Sequence, residues 1–118
     1  VEFSGFKLVD LFLIEEKKRF IMLTQIHAVH FTADAKLVEM VEEKVKKLEH
    51  FHPKIESVDV YLKLENNHAK IKEKVVEIKV GIPGHKLFCM NKGETFETAF
   101  LHALESASEL VKKKKETN

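Results

Sequence analysis

The sequence predicts a single α+β domain whose elements run strand, helix, three strands, helix. Three observations carry that prediction. Two stretches, about residues 33–51 and 94–115, repeat apolar residues at helical spacing. Between them, residues 58–65 and 76–82 alternate apolar and polar side chains, the period-two pattern of strands with one buried face. Turn-forming residues stand at the joins, and no repeat or linker divides the 118 residues into a second unit.

The first strand opens with the alternation over residues 23–27, and Phe31-Thr32 closes the approach to the first helix. Thr32 is the expected N-cap, with Asp34 in the first turn, where a carboxylate complements the helix dipole. Leu37, Val41, Val45 and Leu48 then recur at spacings of four, four and three, a core stripe, and Pro53 ends the segment. In the next strand Val58, Val60, Leu62 and Leu64 face one way and Asp59, Tyr61, Lys63 and Glu65 the other. Val76, Ile78, Val80 and Ile82 repeat the pattern, opposite Glu77 and Lys79. Asn66-Asn67-His68 marks the turn between these two strands, and Pro83-Gly84 is the tight connection into a last strand over residues 86–91. One-sided alternation implies a sheet with one face on the helices and one face wet.

The final helix follows Gly93, with Thr95 as its expected N-cap. Phe96, Phe100, Ala103, Leu104, Ala107, Leu110 and Val111 form its apolar face. Ala99, Ala103 and Ala107 make a ridge of small residues that allows a close approach to the sheet or the other helix. Residues 1–21 stand apart. They are apolar early and charged late, with Ser4 placed to cap a short helix, and their longest uncharged stretch is far below the roughly 20 residues that span a bilayer. The basic leader and small-residue cleavage site of a secretory signal are absent. Met22 is the expected natural start, which makes residues 1–21 an extension outside the native domain and residues 22–118 the functional domain.

Several function classes find no support. The single Cys89 excludes an internal disulfide framework and suits a reducing cytoplasm, and its apolar setting in Leu87-Phe88-Cys89-Met90 reads as a buried small hydrophobe. His27, His30, His50 and His52 cluster without a recognised zinc spacing, so neither metal nor cofactor is expected. There is no Gly-rich phosphate loop, HExxH or nucleophile motif, and an enzyme is not expected.

Charge placement is more informative than the formal net charge of +1. With about 100° per residue, Lys36, Lys44 and Lys47 fall on one flank of the first helix, beside its core stripe. Glu39, Glu42 and Glu49 take the other flank, although Glu43 interrupts the basic side. The second helix ends in Lys112, Lys113, Lys114 and Lys115. A helix dipole is complemented by one or two cations, so four in succession exceed what dipole compensation needs. Two basic clusters on one small domain favour a phosphate-rich partner. With few aromatics for stacking, structured RNA suits the domain better than single strands. His68, Lys70 and Lys72 form an exposed turn placed to add a phosphate contact.

From Gln25 onward the chain resembles the short ribosome hibernation promoting factor family, also called protein Y or the sigma-54 modulation protein family. The likeness spans about residues 22–115. It rests on the order of QIHAVHFTAD, LVEMVEEKVKKLEHF leading through PKI into SVDVYLKLE, VVEIKVGIPGHKLF, and ETFETAFLHALESASELVKKKKE. The resemblance implies a β-α-β-β-β-α fold, a four-stranded sheet with two helices packed on one face, similar to double-stranded-RNA-binding domains. It further implies a cytoplasmic translation inhibitor that binds ribosomal RNA of the small ribosomal subunit in the mRNA and tRNA channel during slow growth. Membrane and DNA are not expected as partners. Carried over by position, the RNA-binding residues are Lys36, Lys44, Lys47 and Lys54, with Lys112, Lys113 and Lys115 on the second helix. Relatives commonly carry Arg-Gln where this chain has Ser108-Glu109, and Lys-His-Lys where its tail has only lysines. The alternative, suggested by the older family name, is a protein-binding transcription regulator that modulates a sigma factor without touching the ribosome.

Overall fold

The computed structural model describes residues 22–66, 68–69 and 71–117, with side chains as far as residue 114. The expectations for residues 1–21, including Ser4 as a cap, lie outside the described residues, as does Lys70 of the turn between the second and third strands. The elements are β1 (Leu23–Val29), α1 (Ala35–Val45) running into a 3-10 segment (Lys46–His50), β2 (Ser57–Asn66), β3 (Lys72–Ile82), β4 (His85–Gly93) and α2 (Phe96–Thr117). This is the predicted α+β order.

The strands form one sheet in the order β1-β2-β3-β4. β1 and β2 pair in parallel, with Leu23 opposite Ser57 and Val29 opposite Lys63. The other two pairs are antiparallel. The connections dictate this arrangement. A parallel pair needs a crossover long enough to return the chain, and the α1 segment supplies it, whereas short turns join antiparallel neighbours. In the turn into β4, Gly84 takes φ 78°, a left-handed conformation that a side chain would strain.

Both helices pack on the same face of the sheet. Leu37, Val41, Val45 and Leu48 meet Val58, Val60, Leu62, Val76, Ile78 and Val80 in one apolar core, which Phe96, Phe100 and Val111 complete from α2. The alanine ridge of Ala99, Ala103 and Ala107 is fully buried, as its spacing implied. Gly93 shows how close that approach is. A Cβ there would lie 3.1 Å from the Ala99 backbone nitrogen.

The local expectations need three adjustments. The N-cap of α1 is Asp34, not Thr32: its Oδ1 accepts the Leu37 N–H at 2.8 Å, and the helix begins one residue later, at Ala35. Beyond Val45 the first helix tightens to 3-10 geometry. In that form residues three apart eclipse, which sets Leu48 over Val45 and keeps both out of water. On the outer face of the sheet, Val75 is buried although the alternation marks that face as wet. Its cross-strand neighbours are Lys63 and Lys92. Their long aliphatic stems flank it while their ammonium groups reach Glu77 and Glu73 at 3.0 and 3.2 Å. Thr95 does cap α2, accepting the Thr98 N–H at 3.0 Å.

Candidate nucleic-acid interface

The first basic group is built on α1 and its 3-10 extension. Lys36 is exposed in the first turn, two residues after the Asp34 cap. That position is electrostatically wrong for helix stability, because the amino end of a helix carries partial positive charge. Lys44 is half-buried in the last turn, and Lys46 and Lys47 are exposed just beyond it. The 3-10 geometry advances about 120° per residue instead of 100°, which turns Lys47 roughly 40° from its ideal-helix position relative to Val45.

The segment Phe51-His52-Pro53-Lys54 ends this arm. The Phe51 N–H donates to the Leu48 carbonyl at 3.0 Å, which closes the last turn. His52 is the one buried polar side chain among the described residues, at 7% exposure. Its Nδ1 accepts the Lys54 backbone N–H at 3.1 Å, folding the chain around exposed Pro53 and presenting Lys54 to solvent. Ile55 follows at once into the core. Lys54 therefore stands between two buried anchors.

The second basic group meets the first at this corner. Lys112 Nζ lies 4.4 Å from the centre of the Phe51 ring, a cation–π contact between the end of α2 and the end of the first helical arm. Lys113 is exposed and Lys114 half-buried. Lys115 lies within α2, and its side chain is outside the described residues. Lys112 thus meets the first arm at Phe51, with Lys47 and His50 in the 3-10 turn just before that residue and Lys54 three residues after it. Lys36 is not part of this corner: it sits roughly 17 Å back along the helical arm from Lys47. Of the predicted positions, Lys36, Lys44, Lys47 and Lys54 follow one another along the first arm, and Lys112 meets the end of that arm at Phe51.

The opposite face of the sheet has another character. His27 stacks on Tyr61 with ring centres 4.5 Å apart, and its Nε2 lies 3.3 Å from Asp59 Oδ1. Lys79 Nζ sits 5.0 Å from the Tyr61 ring centre. On β4, Phe88 and Met90 expose about half of their surface, at 53% and 49%. His68 and Lys72 are exposed at the two sides of the β2–β3 turn. Cys89 faces the core, where burial pushes its thiol pKa up, the reverse of what a nucleophile needs. Among the described residues no three His, Cys, Asp or Glu side chains group as a metal site, and no helix is long and apolar enough to cross a membrane.

Sequence reasoning missed Phe51 and His52 as the supports of the basic corner. The signal for His52 was local: a histidine before proline at the end of a helix, with a buried isoleucine three residues on. Phe51 gave none, because its partner Lys112 lies in another element. Lys46 was also passed over, being exposed at the point where α1 changes pitch.

Comparison with known proteins agrees with this architecture. The family model for sigma 54 modulation protein / S30EA ribosomal protein matches residues 24–118, almost everything from β1 onward. The chain belongs to this family. Two solved structures share the fold of the family member described here. A ribosomal subunit interface protein from Coxiella burnetii superposes with a TM-score of 0.66 at 15% identity, covering 78% of this chain and 98% of that one. The N-terminal domain of Thermus thermophilus Protein Y gives a TM-score of 0.67 at 19% identity, covering 79% and 98% respectively. No curated protein matches the chain.

Proposed function

We propose that this protein associates with the ribosome and inhibits translation in the cytoplasm, by binding ribosomal RNA of the small subunit in the channel used by mRNA and tRNA. One observation carries the reading: the contact of Lys112 with Phe51 joins the lysines of two helices into one basic corner, on a domain whose net charge is nearly zero. Lysines so placed bind backbone phosphates, which supply affinity and register without reading bases. Family membership adds to this, since the family is described as a ribosomal protein and one structural relative is named a ribosomal subunit interface protein. Lys36, Lys44, Lys47, Lys54, Lys112, Lys113 and Lys115 are the proposed RNA contacts. Catalysis has no part in this reading.

Sedimentation of the purified protein with isolated small subunits at two salt concentrations tests it. Binding is expected at low salt and falls steeply as salt rises, because each neutralised phosphate releases counterions. Binding that ignores salt, or no binding to subunits at any salt, refutes the reading.

A second reading has one observation in its favour. Phe88 and Met90 expose apolar surface on the outer sheet face, away from the lysine corner, as a protein-binding regulator would require. That reading expects a protein partner whose association depends on Phe88 and Met90 and persists in high salt.

A further inference from the structure

We infer that Phe51 is a positioning residue of the RNA grip, acting by holding the Lys112 ammonium group in register with the lysines of the first helical arm. The inference rests on the proposed function and adds to it a group that carries no charge and makes no phosphate contact of its own. Phe51 is suited to the task because it is fixed from three sides. Its backbone N–H is bonded to Leu48, its ring packs partly against the core, and the residue after it is the buried His52. The ring is therefore a rigid support.

Lys112 needs such a support. It is exposed near the end of α2, on a side chain with four rotatable carbons, where helices fray and lysines sweep a wide volume. The negative face of an aromatic ring attracts the ammonium group without using its hydrogens as hydrogen-bond donors. Those hydrogens stay available to phosphate oxygens. The same attraction offsets the repulsion that Lys112 meets on approaching the cations of the first arm. Leucine at position 51 would fill much of the ring's space and keep the apolar contact, yet would offer no such face.

The test compares F51L, F51W, K112M and the double variant F51L/K112M, each in the full chain. Affinity for purified small subunits is measured across a salt series. F51L is expected to weaken binding by about two- to fivefold, the range of an exposed cation–π contact. It is also expected to flatten the dependence of log affinity on log salt by up to about 0.9, the value of one phosphate contact. F51W keeps an aromatic face and binds like the original chain. F51L adds nothing on the K112M background, since there is no ammonium group left to hold. In the free protein, NMR places the Lys112 Hε protons upfield by ring current, and F51L returns them to the ordinary position. A variant that only lost packing would weaken binding equally with and without Lys112.

Equal losses on both backgrounds, an unchanged salt slope in F51L, or absence of the ring-current shift overturns the inference. If F51L does not fold, the ring-current shift in the original chain and in F51W decides, and its absence in either is fatal. Failure of the original chain to bind subunits while the shift is present refutes the proposed function, and the positioning role with it. Binding by the original chain with no effect of F51L refutes the positioning role alone.

Discussion

Lys36 offers a test in which stability and binding are expected to move in opposite directions. It is the second residue after the Asp34 cap and stands in the first turn of α1, where it adds positive charge to the positive end of the helix dipole. Lys36→Gln removes that charge and keeps side-chain length and helix propensity nearly constant. A single charge at a helix end is worth about 0.3–1 kcal/mol, and the lower half applies because Lys36 is exposed. In a domain of this size such a gain raises Tm by about 2 °C. Salt screens the effect, so the gain should shrink above roughly 0.5 M. Binding to small subunits should change the other way. One lost phosphate contact lowers the slope of log affinity against log salt by about 0.9. Between 50 and 200 mM salt, the variant then loses about 3.5-fold less affinity than the original chain. Thermal unfolding followed by circular dichroism gives the first quantity, and fluorescence anisotropy with labelled protein gives the second. A variant that is less stable, or that is more stable with an unchanged salt slope, refutes the reasoning. The first result would mean that Lys36 serves the fold, and the second that it is an idle surface charge.

Three further outcomes follow from the packing. Gly93→Ala places a Cβ 3.1 Å from the Ala99 nitrogen and 3.3 Å from its Cα, both helix backbone with little room to yield, and should destabilise the domain by about 1–3 kcal/mol in urea unfolding; a neutral result would show that the start of α2 can shift freely. Cys89 is buried with its thiol pKa raised by desolvation, so a disulfide reagent at pH 8 should label it only as the protein unfolds, and rapid labelling of the native protein would contradict its burial. His52→Leu removes the acceptor for the Lys54 N–H and should weaken subunit binding through Lys54, whereas His52→Asn supplies a replacement oxygen and should restore much of it. Equal binding by both His52 variants and the original chain would remove the turn from the grip.

Element order and the core were legible because each depends on local periodicity. The stripe of Leu37, Val41, Val45 and Leu48 and the alternation from Val58 to Leu64 name the buried faces directly, and those side chains are the ones found in the core or packed on it. The cap was harder to read because Thr32 and Asp34 are both competent acceptors. Asp34 is the residue whose side chain reaches the Leu37 N–H, and the helix begins just after it at Ala35. The switch to 3-10 geometry was present only as the spacing of three between Val45 and Leu48, which an α-helix also tolerates. The lysines were visible one by one, since exposed charge at helix ends is a local pattern. Their convergence was not. It depends on where the end of α2 falls relative to the end of the first arm, a relation between distant segments that only the packed sheet establishes.

The net charge of +1 is a poor guide to this domain because it does not say how each charge is held. On the outer face, cations stand close to anions: Lys63 with Glu77, Lys92 with Glu73, and His27 beside Asp59. Register produces these pairs. Glu77 lies diagonally from Lys63 across the β2–β3 ladder, and Glu73 diagonally from Lys92 across the β3–β4 ladder. Close pairs have fields that cancel within a few ångströms. On the helix side, the lysines gathered at the Phe51 corner stand on segment ends, and a π-face holds Lys112 where a carboxylate would have neutralised it. A cation held by a ring keeps its full charge for a distant phosphate, whereas one held by a carboxylate does not. Replacing Phe51 with Glu would hold Lys112 in nearly the same place and remove its field. If position alone mattered, that variant would still bind subunits; the charge argument requires that it bind less well than F51L.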